Sequence, residues 1–292
     1  MIVRDIKLKN DNNLISLMTF PIYVTEMTNL GTTVDTDTTK LYNKDGAILN
    51  SEHVGVRTIT MTLQNFDKQH TTHSDWIYSY FQIKKDLSLL FYGTNDNGEE
   101  VSRRIDFRVN KISPSNFTED DVYKIQLFCL DPFFHDKTIR ITQNDSVIPE
   151  FEFIFECFPK EPFEVSTLRT SSLTHIRNPG QTAIGFTVTV MTKDYFRGFK
   201  LINLETKEYL SCNSELEVTA GQKLILDTRK GSRGVFLKNA DGSTIQKLFY
   251  MDSDSTWFEL PVGKTTLAFE LKEGNPELVD LEFSYDISYG GL

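Results

Sequence analysis

The residues that could do chemistry here are histidines and carboxylates, and they fall into two groups. His70, His73 and Asp75 occur together as HTTHSD. Zinc takes three or four N, S or O ligands in a tetrahedron, so this group would need His53 or His135 to complete it. It also lacks the His-Glu-x-x-His helix that makes zinc recognition specific. His70 and His73 are thus the metal candidates, and a polar loop entering a helix is the plainer reading. Asp131, His135 and Asp136 form the second group, in CLDPFFHD. They are the residue types of an acid–base set, but a triad also needs a nucleophile on a sharp elbow, and no Gly-x-Ser-x-Gly is present. Asp131 is better suited to accept backbone N–H bonds in the turn at Pro132.

Other constellations carry less. Glu99-Glu100 and Glu119-Asp120-Asp121 read as loop charge, because paired glycosidase carboxylates are recognised by their separation in space. Trp257, in SDSTWFELPVG, is the glycan candidate, since an exposed indole can stack on a sugar. The paired His-x-Asn-x-Arg and Trp-x-x-Glu-x-Arg sets of a galectin are missing. Gly231-Ser-Arg-Gly234 reads as a hairpin tip rather than a phosphate loop. No catalytic residue, cofactor or metal is expected.

The positioning elements are mostly strands. Phenylalanine (22) and tyrosine (11) are abundant, and such side chains favour a pleated surface. The net charge of -10 disfavours binding to a phosphate backbone, and the only basic pairs are Lys84-Lys85 and Arg103-Arg104. Cys129, Cys157 and Cys212 lie far apart, which argues against a disulfide framework and for a reducing compartment of synthesis. MIVRDIKLKN has no apolar core of a signal peptide, and no run approaches the ~20 apolar residues that span a bilayer.

At 292 residues the chain has room for two domains, at about 150 residues each. In the first, Met1–Leu8, Val56–Leu63, Arg104–Asn110 and Tyr123–Cys129 alternate with the period of two of a half-buried strand. Gly31–Asp45 is polar, rich in Thr and Asp, and reads as an extended hairpin or loop. Trp76, Tyr80, Ile83 and Leu87 repeat at helical spacing behind Ser74, a suitable cap. Leu87–Tyr92 reads equally well as a strand. Asp131-Pro132 ends the strand before it, since proline fixes φ and lacks an N–H. The second half reads as strands throughout, starting with Phe151–Cys157. Thr182–Met191, Lys247–Met251, Trp257–Leu260 and Leu281–Tyr289 follow among others, with turns at ~8–12-residue spacing, as in a β-sandwich.

These landmarks resemble the distal tail (Dit) proteins of long-tailed phages with non-contractile tails. In the first half the resemblance lies in VRTITMTLQN, RRIDFRVNKI and YKIQLFCLDPFF. In the second it lies in HIRNPGQTAIGFTVTV, FKLINLETKEYLSCNSELEVTAGQKLILDTRKG and STWFELPVGKTTLAF. It implies a mainly β chain. Residues 1–140 would be a tail-tube-like β-sandwich or split barrel with one α-helix, and residues 141–292 a galectin-like β-sandwich. It further implies a homohexameric ring of subunits between the tail tube and tape-measure proteins and the tail-associated hub protein. The second domain would carry receptor-binding or other peripheral baseplate proteins. No sequence-specific nucleic acid and no membrane is implied as a partner.

A ring subunit needs extended hairpins, so the interface candidates are Thr32, Thr33, Val34, Asp35, Thr36, Asp37, Thr38 and Thr39. Asp131, Pro132, Phe133 and Phe134 are expected to form the domain junction, with the two phenylalanines packing the linker. A carbohydrate-binding module with an accessory domain is the alternative, and a tail-tip hydrolase the third reading. The linker assignment predicts that Phe133→Ala with Phe134→Ala loosens the domains and spares oligomerisation, which limited proteolysis and light scattering would measure.

Overall fold

A computed structural model describes residues 1–11, 13–42, 44–66, 73–115, 121–137, 139–143 and 173–292, without the side chains of 73–75 and 143. The expected strand Phe151–Cys157, including Cys157, and residues 67–72 and 116–120 lie outside the described residues. The chain divides into two compact units, Met1–Thr138 with Ser288–Leu292, and Ile139–Ile287.

The first unit begins with strands β1 (Ile2–Asn10), β2 (Asn13–Ser16), β3 (Met18–Thr19) and β4 (Ile22–Thr28). A hairpin of β5 (Asp35–Lys40) and β6 (Ala47–His53) follows, and then β7 (Arg57–Asn65) and helix α1 (His73–Tyr80). β8 (Leu87–Thr94), β9 (Glu100–Pro114), β10 (Asp121–Cys129) and β11 (Phe134–Asp136) complete the sequential part. All but the β5–β6 hairpin join one sheet, ordered β2-β1-β8-β9-β10-β7-β4-β3, with β11 on β9. The alternation that marks these strands in the sequence is what buries one face. Ile59, Met61 and Leu63 of β7 and Ile125, Leu127 and Cys129 of β10 have no exposed surface. Tyr123 is buried beside them.

The helix differs from its sequence reading. It ends at Tyr80; Ile77 within it and Phe81 just past its end are buried, with Trp76 and Tyr80 partly buried beside them. Ile83 is 64% exposed, and Leu87 belongs to β8. Lys84 adopts a positive φ of 66°, which stops a helix from carrying the Trp76–Leu87 spacing through.

The second unit is a sandwich of two antiparallel sheets. Its strands are β12 (Arg140–Gln143), β13 (Leu173–Asn178), β14 (Phe186–Thr192), β15 (Tyr195–Asn203) and β16 (Tyr209–Thr219). β17 (Lys223–Asp227), β18 (Gly234–Lys238), β19 (Thr244–Gln246), β20 (Gly263–Gly274) and β21 (Val279–Tyr285) follow. One sheet is ordered β12-β21-β14-β17-β18-β19, the other β13-β20-β15-β16. Phe186 packs against Phe258 at 5.4 Å and Phe283 at 6.1 Å between ring centroids. Phe199 stacks on Phe269 at 6.0 Å. The expected strand Lys247–Met251 is instead a 3₁₀ turn at Leu248–Tyr250, and Trp257–Leu260 contributes only a bridge from Leu260 to Ile184.

The largest departure is at the C-terminal end. The alternation Leu281–Tyr289 reads as one strand, but the chain makes two. β21 ends at Tyr285, and β22 (Ser288–Tyr289) pairs with β11 in the first unit, Phe134 opposite Tyr289 and His135 opposite Ser288. Phe134 is fully buried in the first unit's core, edge-on to Phe91 at 5.7 Å. It is a core residue and not linker packing. Phe133 is half-buried.

Two measurements test this packing. Phe134→Ala is expected to destabilise the first unit by about 3–5 kcal/mol in chemical denaturation, the usual range for a buried aromatic. Burial pushes the Cys129 and Cys212 thiols up to about 12, so almost no thiolate forms near pH 8. In a Cys157→Ser variant, thiol titration at pH 8 is expected to detect neither cysteine until the protein unfolds.

Candidate assembly surface

The β5–β6 hairpin is built by β-branched residues in an extended run and closed by side chains. Its register runs from Asp35 opposite His53 to Lys40 opposite Ala47, shifting by a bulge after Asp37. Asn50 Nδ2 donates to Thr39 Oγ1 at 2.8 Å and to Asp37 Oδ2 at 3.3 Å, fastening the strands where the register shifts. His53 faces Asp35 at 3.9 Å. Every residue of both strands is exposed. A two-stranded hairpin is at best marginal in water unless something covers a face. This one also holds Tyr42 at 91%, Ile48 at 54% and Leu49 at 53% exposure, with Val34 and Leu41 open as well. Large exposed apolar residues of this kind make the hairpin a candidate contact surface.

The candidates Thr32, Thr33 and Val34 form the outgoing root of this arm, and Asp35, Thr36, Asp37, Thr38 and Thr39 its first strand. Sequence reasoning stopped at Asp45 and so missed β6. The signal was Ala47-Ile48-Leu49, the one apolar run in an otherwise polar stretch.

The junction residues are brought together, but for fastening. Asp131 Oδ1 accepts the Phe133 N–H at 3.0 Å, the turn-closing bond expected of it. Its Oδ2 lies 3.0 Å from His135 Nε2, and His135 Nδ1 lies 3.3 Å from Ser288 Oγ. This Asp–His–Ser series was invisible in the sequence, because Ser288 is 153 positions from His135. A catalytic serine must be reachable by a substrate. Ser288 is 7% exposed and held in the β11–β22 ladder, so the series ties the turn to the returning strand. Asp136 pairs with Arg103 at 3.1 Å, and the Arg103 guanidinium lies 3.1 Å from the Tyr289 ring centroid. Pro132 is half-buried next to Phe133.

His70 and the His73 side chain lie outside the described residues, and His53 and His135 are engaged as above. Among the described residues no three His, Cys, Asp or Glu side chains could hold a metal ion. Trp257 is half-buried on a segment without strand pairing, and its neighbour Phe258 is the core aromatic. Among the described residues no helix is long and apolar enough to cross a membrane.

Comparison with known proteins bears on this arrangement. Residues 179–286 match the family described as "Siphovirus-type tail component, C-terminal domain". The whole fold is similar to the crystal structure of the Dit protein of phage SPP1, described as a hub adsorption apparatus. That match has a TM-score of 0.66 and 12% identity over 97% of this chain and 99% of that one. It is also similar to a chain of the phage P2 baseplate in its activated conformation with calcium, at a TM-score of 0.58 and 11% identity over 100% of both. The strontium form of that baseplate gives 0.58 and 11% over 99% of this chain and 100% of that one. No curated protein sequence matches.

Because the arm's apolar residues are exposed, serine at Tyr42, Ile48 and Leu49 together is expected to change stability by no more than about 0.5 kcal/mol per site. Thermal unfolding of the triple variant at a protein concentration too low for self-association measures this.

Proposed function

We propose that this chain is a siphovirus distal tail protein, a non-enzymatic structural component of the virion's tail tip, and that it closes a homohexameric ring through the β5–β6 arm. The observation that carries this reading is the arm itself. Two strands with both faces wet and five large apolar residues exposed on and around them need a surface to lie on. A neighbouring copy supplies one at the same spot on every subunit, and a head-to-tail contact of this kind generates a ring when its rotation closes.

The ring would join the last tier of tail tube protein and the end of the tape-measure protein to the tail-associated hub protein. The second unit would serve as the docking domain for receptor-binding or other peripheral baseplate proteins. An acidic subunit suits a conduit through which DNA must pass without being held.

Light scattering and negative-stain images of the purified protein test this reading, alone and mixed with its tail hub protein. Rings of six copies are expected from the native chain. The Tyr42→Ser, Ile48→Ser, Leu49→Ser variant is expected to remain folded and monomeric. A native chain that stays monomeric both alone and with the hub protein would overturn the reading.

A further inference from the structure

We infer that Arg57 is the positioning residue of the arm, and that it makes the arm's pose depend on the strand that returns from the second unit. This rests on reading the arm as the assembly element. Arg57 is the first residue of β7, just past the arm's returning root at Val54-Gly55-Val56. Its side chain crosses to the outgoing root. Nη1 donates to Leu30 O at 2.9 Å, and Nη2 donates to Thr32 Oγ1 at 3.2 Å. Both roots of the arm are therefore fixed at one residue, the returning root by its backbone and the outgoing root by its guanidinium.

The same guanidinium holds a third segment. Nη2 also donates to Gly290 O at 2.8 Å, and Thr32 Oγ1 donates to that carbonyl as well. The guanidinium carbon sits 4.9 Å from the centroid of Phe134, whose strand pairs with β22. Gly290 is 233 positions from Arg57 and directly follows β22. A Cβ on Gly291 would lie 3.4 Å from Leu30 O, so the returning chain runs close against the arm's root.

The chemistry explains why arginine stands here. Arg57 is only 6% exposed, and the acceptors it touches are neutral oxygens. Its burial lowers its pKa, which is the sign of a desolvated cation. A buried cation is costly unless its donors are satisfied. Only a planar fork can reach acceptors on separate segments while lying over an aromatic face; a lysine ammonium is a single point of attachment. Removing Gly290 takes away the acceptor that Arg57 Nη2 and Thr32 Oγ1 share, leaving part of a buried guanidinium unsatisfied. The arm's root and the returning strand are thus expected to loosen together.

Hydrogen exchange read by mass spectrometry on the full chain, at a concentration where it is monomeric, tests this. Three variants are compared with the native protein: Arg57→Lys, Thr32→Val, and a chain ending at Tyr289. In Arg57→Lys, segments 29–36 and 286–292 are expected to exchange about tenfold faster or more, the scale of a lost bond to a charged group. Helix α1 and strands β14–β21 are expected to be unchanged. The chain ending at Tyr289 keeps Arg57 and the whole arm, and is expected to speed exchange at 29–36 to a similar degree. Thr32→Val is expected to have a smaller effect on both segments. Unchanged exchange at 29–36 in the chain ending at Tyr289 would overturn the inference, even if Arg57→Lys proved unstable. Because exchange is read on the monomer, this outcome is independent of whether the native chain forms rings.

Discussion

Arg57 buries a full positive charge against neutral oxygens, and the first unit is closed around it. Desolvating a guanidinium costs several kcal/mol by the usual reckoning, so the site depends on the acceptors its two terminal nitrogens find. Those acceptors come from Leu30, Thr32 and Gly290, and the face of Phe134 covers the group. None of the contributing segments is adjacent to the others in sequence. The charge therefore converts a long polar loop and a short returning strand into parts of one closed structure. His135 adds a second fastening nearby, joining Asp131 to Ser288.

The described residues of the second unit are held mainly by apolar packing. Its sheets bury alternating apolar residues against each other, and Phe186, Phe258 and Phe283 form an aromatic centre between them. Each covalent crossing between the units is flanked by strand pairing within a unit. β11 and β22 pair in the first, and Arg140 of β12 lies opposite Tyr285 of β21 in the second. The outgoing and returning chains are thus secured on both sides of each crossing by backbone bonds, which do not depend on side-chain identity.

Much of this was legible in the sequence because half-buried strands announce themselves by period two. Val56–Leu63 and Tyr123–Cys129 turned out as their alternation indicates. Three features were not legible, each for a physical reason. The helix stripe was misassigned because Trp76 and Tyr80 share the spacing with Ile83 and Leu87, while Ile77 and Phe81 carry the burial. The split of Leu281–Tyr289 left no trace, since the apolar alternation at odd positions runs on through Ile287 and Tyr289 although burial passes to Ser288 in β22. Arg57 stood in plain view within VRTITMTLQN, but its role depends on an oxygen 233 positions away. Local pattern reports which face is buried. It does not report which distant atom completes a polar site.

The order in which a ribosome delivers this chain gives the returning strand a further meaning. Domains generally fold as they emerge, N-terminal part first. The strands from β1 to β10 and the arm are available long before Ser288 leaves the exit tunnel. Until then β11 has no β22 to pair with, and the guanidinium lacks the carbonyl of Gly290. A translation product that stops between β11 and Ser288 contains every residue of the arm and still cannot close its base. Closure of the arm's base therefore waits on a carbonyl 233 positions beyond Arg57, so the surface proposed to meet other subunits is among the last parts of the first unit to be finished.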